Sequence, residues 1–99
     1  FVGNDGEMGV TPEAFTLSQN FPNPFNPITH IKYDVNMAGL VTMDLFDIRG
    51  SKVKSLINES KTVGSHEFAF DGSSISSGVY FYSMTVNGVT QTRKLVLMK

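Results

Sequence analysis

From Phe15 onward the chain alternates apolar and polar residues in short runs, broken by turn residues about every 8–12 positions. Alternation sends successive side chains to opposite faces of an extended backbone, so each run reads as a half-buried β-strand. Phe15–Gln19 is the first. Ile28–Val35 sets Ile31, Tyr33 and Val35 against Lys32 and Asp34. Val41–Asp47 opposes Val41, Met43 and Leu45 to Thr42, Asp44 and Phe46. Val53–Asn58 is less regular: Lys54 and the adjacent pair Leu56-Ile57 break the period, which predicts a bulge. Ser65–Asp71 carries His66, Phe68 and Phe70 on one face. In Val79–Val86, Tyr80, Tyr82, Met84 and Val86 form the larger face and are placed inside, leaving Val79, Phe81, Ser83 and Thr85 outside. The last strand runs from about Thr90 to Met98.

The breaks between runs carry turn chemistry. Gly50 in Arg49-Gly50-Ser51 supplies a positive φ for a hairpin, and Asn87-Gly88 is the strongest short hairpin signal in the chain. The segment Asn20–Pro27 holds three of the four prolines. Proline has no backbone donor, so this stretch cannot sit in mid-sheet. Phe21 and Phe25 alternate with Pro22 and Pro24, which predicts a stiff extended crossover dropping both rings onto the end of the fold, with one X-Pro bond a candidate for cis. No window sustains the i, i+3, i+4, i+7 spacing of an amphipathic helix. Seven strands in this length predict an all-β fold, an immunoglobulin-like antiparallel β-sandwich, with a small open barrel as the alternative. The Cys…Trp…Cys signature of antibody domains is absent.

The final strand poses a problem of its own. Val96 and Met98 lie on the opposite face from Leu95 and Leu97, so one pair needs cover beyond an ordinary solvated edge. This predicts a docking partner there. Arg93, Lys94 and Lys99 surround the pair, and no acidic residue occurs between Gly72 and Lys99. The cations either attract an acidic partner or act as gatekeepers against aggregation, and the two roles are compatible.

Composition narrows the function class. Of 99 residues 40% are hydrophobic and 17% charged, as in one folded domain, and the net charge of −1 provides no general field for nucleic acid or anionic membrane. No apolar run approaches the roughly 20 residues that span a bilayer, and with no cysteine there is neither disulfide nor thiolate metal site. Residues 1–14 are Gly-rich, acidic and aperiodic, as expected of a linker following a preceding passenger domain; the chain opens Phe1-Val-Gly without an initiator Met, as a fragment of a longer polypeptide would. Asn4-Asp5-Gly6-Glu7 supplies oxygens but lacks the spacing of a calcium loop. His30 and His66 read as strand-end histidines, since neither belongs to a catalytic or metal-ligating motif. No nucleophile–base pair and no phosphate-cradling loop is present, so the expectation is a non-enzyme without a cofactor. Phe46 and Phe81 are candidate exposed aromatics for sugar or protein stacking; the plainer reading pairs them with neighbours across strands.

Four blocks in order carry a resemblance: Leu17-Ser-Gln-Asn-Phe-Pro-Asn-Pro-Phe-Asn-Pro27, Leu45-Phe-Asp-Ile-Arg-Gly-Ser-Lys-Val53, Phe70-Asp-Gly-Ser-Ser-Ile-Ser-Ser-Gly-Val-Tyr-Phe-Tyr82 and Thr92-Arg-Lys-Leu-Val-Leu-Met-Lys99. Residues 15–99 thereby resemble the type A C-terminal sorting domain of the type IX (Por) secretion system. The resemblance implies an immunoglobulin-like sandwich that acts as an address label. It further implies a covalently linked N-terminal passenger, passage through the periplasm, recognition by the outer-membrane translocon, removal by an associated processing enzyme, and a destination at the cell surface or outside. Neither nucleic acid nor direct membrane insertion enters this picture. Gly78, Tyr80, Lys94 and Lys99 fall on the motif positions associated with sorting, and Arg93, Val96 and Met98 complete the expected recognition set. Phe70 stands where the family often has Trp. A carbohydrate- or surface-binding module of a secreted hydrolase is the alternative; the Asp-Gly…Ser-Gly-Val-Tyr-Phe-Tyr block is also similar to that of flagellar hook-capping scaffolds.

Overall fold

In a computed structural model, which describes residues 15–99, the alternating runs become seven strands. They are β1 (Phe15–Leu17), β2 (Ile28–Val35), β3 (Gly39–Asp47), β4 (Lys52–Lys61), β5 (Gly64–Asp71), β6 (Gly78–Val86) and β7 (Val89–Leu97). All pairings are antiparallel, in two sheets of order β1-β2-β5 and β4-β3-β6-β7. The expected β-sandwich is therefore what forms, and no described residue is helical.

The inward residues are those the alternation selects. Ile31, Tyr33 and Val35 from β2 meet Val41, Met43 and Leu45 from β3 and Tyr82, Met84 and Val86 from β6, all at most 2% exposed. Leu95 and Leu97 of β7 are inward as well. At β4 the register slips twice: Met43 faces Ile57 while Asp44 faces Ser55, and Leu45 faces Lys54 while Phe46 faces Lys52. Leu56 and Val53 are the extra residues, so the broken alternation does mark bulges. Beyond them β4 runs on to Lys61, longer than the sequence pattern shows, and only Thr62 and Val63 separate it from β5 in the other sheet.

The hairpin turns follow their chemistry. Gly50 has φ 84°, and Asp47 Oδ1 accepts from the backbone N–H of Arg49 (2.9 Å) and Ser51 (3.0 Å). Asn87 and Gly88 have φ of 51° and 81°, as a two-residue turn of this hand requires.

The proline segment does more than cross over. Phe21 exchanges both backbone hydrogen bonds with His30 of β2, at 2.9 and 3.0 Å. Four residues on, Phe25 donates to the Val96 carbonyl and accepts from Met98 N–H, each at 3.0 Å. Residues 21–25 thus strap the edge of one sheet to the edge of the other. Asn23 Oδ1 adds a bond from Val96 N–H at 3.0 Å. The bonds before Pro22, Pro24 and Pro27 are all cis, where the sequence offered one as a candidate. Phe25 drops into the core edge-on to Phe70, with centroids 6.0 Å apart. Phe21 does not: its ring is 79% exposed, correcting the expectation of two plugs. The reason is the preceding residue. Asn20 is turned inward, its amide donating to Thr29 Oγ1 at 3.0 Å and to the Pro22 carbonyl at 3.2 Å, so Phe21 on the same extended run must face out.

Candidate recognition face

The outward surface of the four-stranded sheet is built by register. Across it, Lys52 faces Phe46, Phe46 faces Phe81, and Phe81 faces Lys94. One step toward the chain end, Val79 faces Val96. Phe46, Phe81 and Val96 are half-buried by one another's company, Val79 is 36% exposed, and Met98 beyond them is 60% exposed. The two phenylalanines are therefore a cross-strand pair, the plainer of the two sequence readings, and a continuous apolar patch lies around them.

Ile48, at 72% exposure, enlarges that patch from the β3–β4 turn. It lines two shallow hollows, one of about 340 Å³ with Phe46, Phe81 and Thr92, the other of about 290 Å³ with Ser77, Gly78 and Tyr80. The opposite half of the same face is polar apart from Leu40 at its margin. Ser83 and Thr92 hydroxyls lie 2.7 Å apart, and Thr85 and Thr90 hydroxyls 2.8 Å apart.

The residues expected from the sequence divide into three groups. Lys94, Val96 and Met98 point outward together, and no ion pair among the described residues engages Lys94. Lys52 leans on Asp44 at 3.5 Å instead. Arg93 sits on the other face, where its Nε donates to the Leu17 carbonyl at 3.1 Å and ties β7 to β1. Gly78 and Tyr80 shape the rim. Gly78 has φ 156°, a backbone conformation that disfavours any Cβ, and the Tyr80 hydroxyl donates to the Ser76 carbonyl at 2.7 Å. Lys99 bends back, its backbone N–H to Ser77 Oγ and its Nζ to the Ser73 carbonyl, each at 2.9 Å. Ile48 and Lys52 escaped the sequence reading. Their signal was available in the Leu45–Val53 block, but only the pairing of β3 with β6 brings it beside the chain end.

The histidines have structural partners, and each is the third residue of its strand. His30 Nδ1 lies 2.8 Å from Glu67 Oε2, and His66 stacks on Tyr33 with centroids 5.3 Å apart. The Asn4–Glu7 stretch and the linker lie outside the described residues. Tyr82 carries the largest electrostatic displacement. Burial pushes its phenol up to about 12, partly offset by the donating Asn20 N–H and the Arg93 charge.

What this arrangement offers is an adhesive surface: an apolar patch, an ammonium that no ion pair among the described residues engages, and Lys99 held in place. No curated protein matches the chain. A family model described as the secretion system C-terminal sorting domain matches residues 19–98, from the start of the strap to one residue short of the end. That span takes in β2 to β7 and every part of the face around Lys94, and on it the chain belongs to the secretion system C-terminal sorting domains, the signals that direct proteins into type IX secretion.

Proposed function

We propose that the secretion machinery reads this domain through the apolar end of the outward face, with Lys94, Val96 and Met98 supplied by β7 and its end, and Phe46, Ile48, Val79 and Phe81 by β3, the β3–β4 turn and β6. One observation carries the reading: Lys94, which no ion pair among the described residues engages, stands beside Phe81 on an apolar patch at the end of β7. An outward patch of this kind is costly to leave in water unless a partner covers it. Gly78, Tyr80 and Lys99 hold the rim in shape, while Arg93 serves the core side. The outer-membrane translocon is the partner, met in the periplasm after a separate inner-membrane crossing. An associated protease then cuts within or near residues 1–14, which link the domain to its passenger. The destination, the cell surface or the extracellular space, follows from the family itself. The family is a sorting signal rather than a catalyst, and no substrate chemistry is assigned.

The test is export of a periplasmic reporter fused ahead of residues 1–99, in a bacterium with type IX secretion. Lys94→Glu and Met98→Ser should each strand the reporter in the periplasm while the purified domain unfolds at nearly the wild-type temperature, because surface changes away from the core usually stay within about 0.5 kcal/mol. Normal export by both variants would refute the assignment of this face.

A further inference from the structure

The two flanks of the sandwich are finished differently. On one flank the strap and the side chains of Gln91 and Arg93 bind β7 to β1 and its continuation. On the other, β4 and β5 are both edge strands, each hydrogen-bonded to a single neighbour. In a constant-type immunoglobulin sandwich the fourth strand lies beside the fifth. Here it lies beside β3, so the flank of β5 that it would cover is open.

An open edge is a template for another strand, and three of the four edges here are blunted. β1 has only three residues. β4 has two bulges and carries Lys52, Lys54 and Lys61. β7 is strapped. β5 has no such protection: its eight residues pair with β2 in unbroken register, and it contains no lysine, proline or bulge. Its free groups can be identified. Phe21 exchanges bonds with His30, and Ser18 N–H donates to the Lys32 carbonyl, so His30 and Lys32 turn toward β1. Alternation then turns Ile31 and Tyr33 toward Phe68 and His66. The backbone N–H and C=O groups of Ser65, Glu67 and Ala69 are left pointing into the open flank.

The chemistry of an added strand can also be read. Side chains on its inner face would lie over a hollow of about 160 Å³ in which Leu56, Ile57, Phe68 and Tyr33 are ringed by Asn58, Glu59, Lys61 and Glu67. On its outer face the neighbours are Ser65, Glu67, Ala69 and Asp71, whose only charges are negative, Glu67 being shared with His30 of β2 at 2.8 Å and facing Lys32. Lys61 at the hollow's rim is already paired with Glu59. We propose that the β5 edge is a second interaction surface, taking an extended segment of another protein as an added strand, with apolar residues at alternate positions and lysine or arginine between them. A second copy of this chain fits less well, because pairing β5 with itself gathers four carboxylates and no lysine or arginine.

The test uses the isotope-labelled 99-residue chain and an eight-residue peptide of alternating valine and lysine, followed by amide NMR and hydrogen exchange. The peptide should shift and protect the amides of Ser65, Glu67 and Ala69 and leave those of residues 94–98 unchanged, which separates this surface from the sorting face. Ala69→Pro removes an edge donor without touching the β2 ladder and should abolish binding. Glu67→Lys should weaken it about fivefold, and decides the matter if the proline variant does not fold. Absence of protection on β5, equal binding of a valine–glutamate peptide, undiminished binding by either variant that folds, or dimerisation through this edge would overturn the proposal.

Discussion

Tyr82 shows how one hydroxyl can join two parts of the fold that are far apart in sequence. It donates to the Ser18 carbonyl at 2.7 Å and accepts from Asn20 N–H at 2.8 Å, bridging the middle of β6 to the root of the strap. Its folded pKa of about 12 lies above the ordinary value of 10 for a tyrosine, so the folded chain keeps this proton longer than the unfolded chain does. The contribution is complete below about pH 10 and disappears as pH rises through about 12. Denaturant titrations should therefore show stability falling over that alkaline interval. Tyr82→Phe should abolish the part of the fall due to this group and cost about 1–3 kcal/mol at neutral pH, because Asn20 N–H loses its partner. Also at this scale, the opposite roles of Arg93 and Lys94 were half legible in the sequence. Arg93 shares its parity with Leu95 and Leu97, which marks it as inward-side. That it ends on the Leu17 carbonyl was not legible, since nothing local connects positions 76 apart.

Among the elements, the strap departs furthest from its sequence pattern. Three prolines announce an irregular segment but not its destination, because the partners, Val96 and Met98, lie more than seventy residues away in sequence. Its two rings make a controlled comparison. Phe25 is 2% exposed against Phe70, so Phe25→Ala should cost about 3–5 kcal/mol in thermal or denaturant unfolding. Phe21→Ala, at a ring 79% exposed, should stay within about 0.5 kcal/mol. Equal losses would mean that the strap acts through its backbone alone. Gly72 adds a close contact: a Cβ there would meet Leu97 Cδ2 at 3.1 Å and Phe25 Cε2 at 3.2 Å, so the loop after β5 must be bare where the strap packs.

For the whole molecule, the strand count, the face of most strands and the two hairpin turns were legible, because period and turn chemistry are local properties. Sheet membership was not. Whether β4 lies beside β3 or β5 depends on how it bends, and the bulges at Val53 and Leu56 act on that choice without naming the partner. The same gap hid Ile48 and Lys52 from the candidate face. The arrangement predicts the pattern of native-state hydrogen exchange. Amides that pair β3 with β6, from Val41–Val86 to Leu45–Tyr82, should be slowest. Those of Ser65, Glu67 and Ala69 should exchange much faster than those of His66 and Phe68, which pair with β2, and uniform protection across β5 would contradict the open flank.

The ladder of hydroxyls on Ser83, Thr85, Thr90 and Thr92 has a directional consequence. It gives the broad sheet a head and a tail: oily where β7 ends, wettable where the β6–β7 hairpin bends. A body pressed against that sheet and spun by half a turn would lay its own grease on alcohols. A partner bound on that sheet as proposed would therefore be held in one orientation, and the hairpin tip, farthest from the apolar end, is where a label would least disturb it.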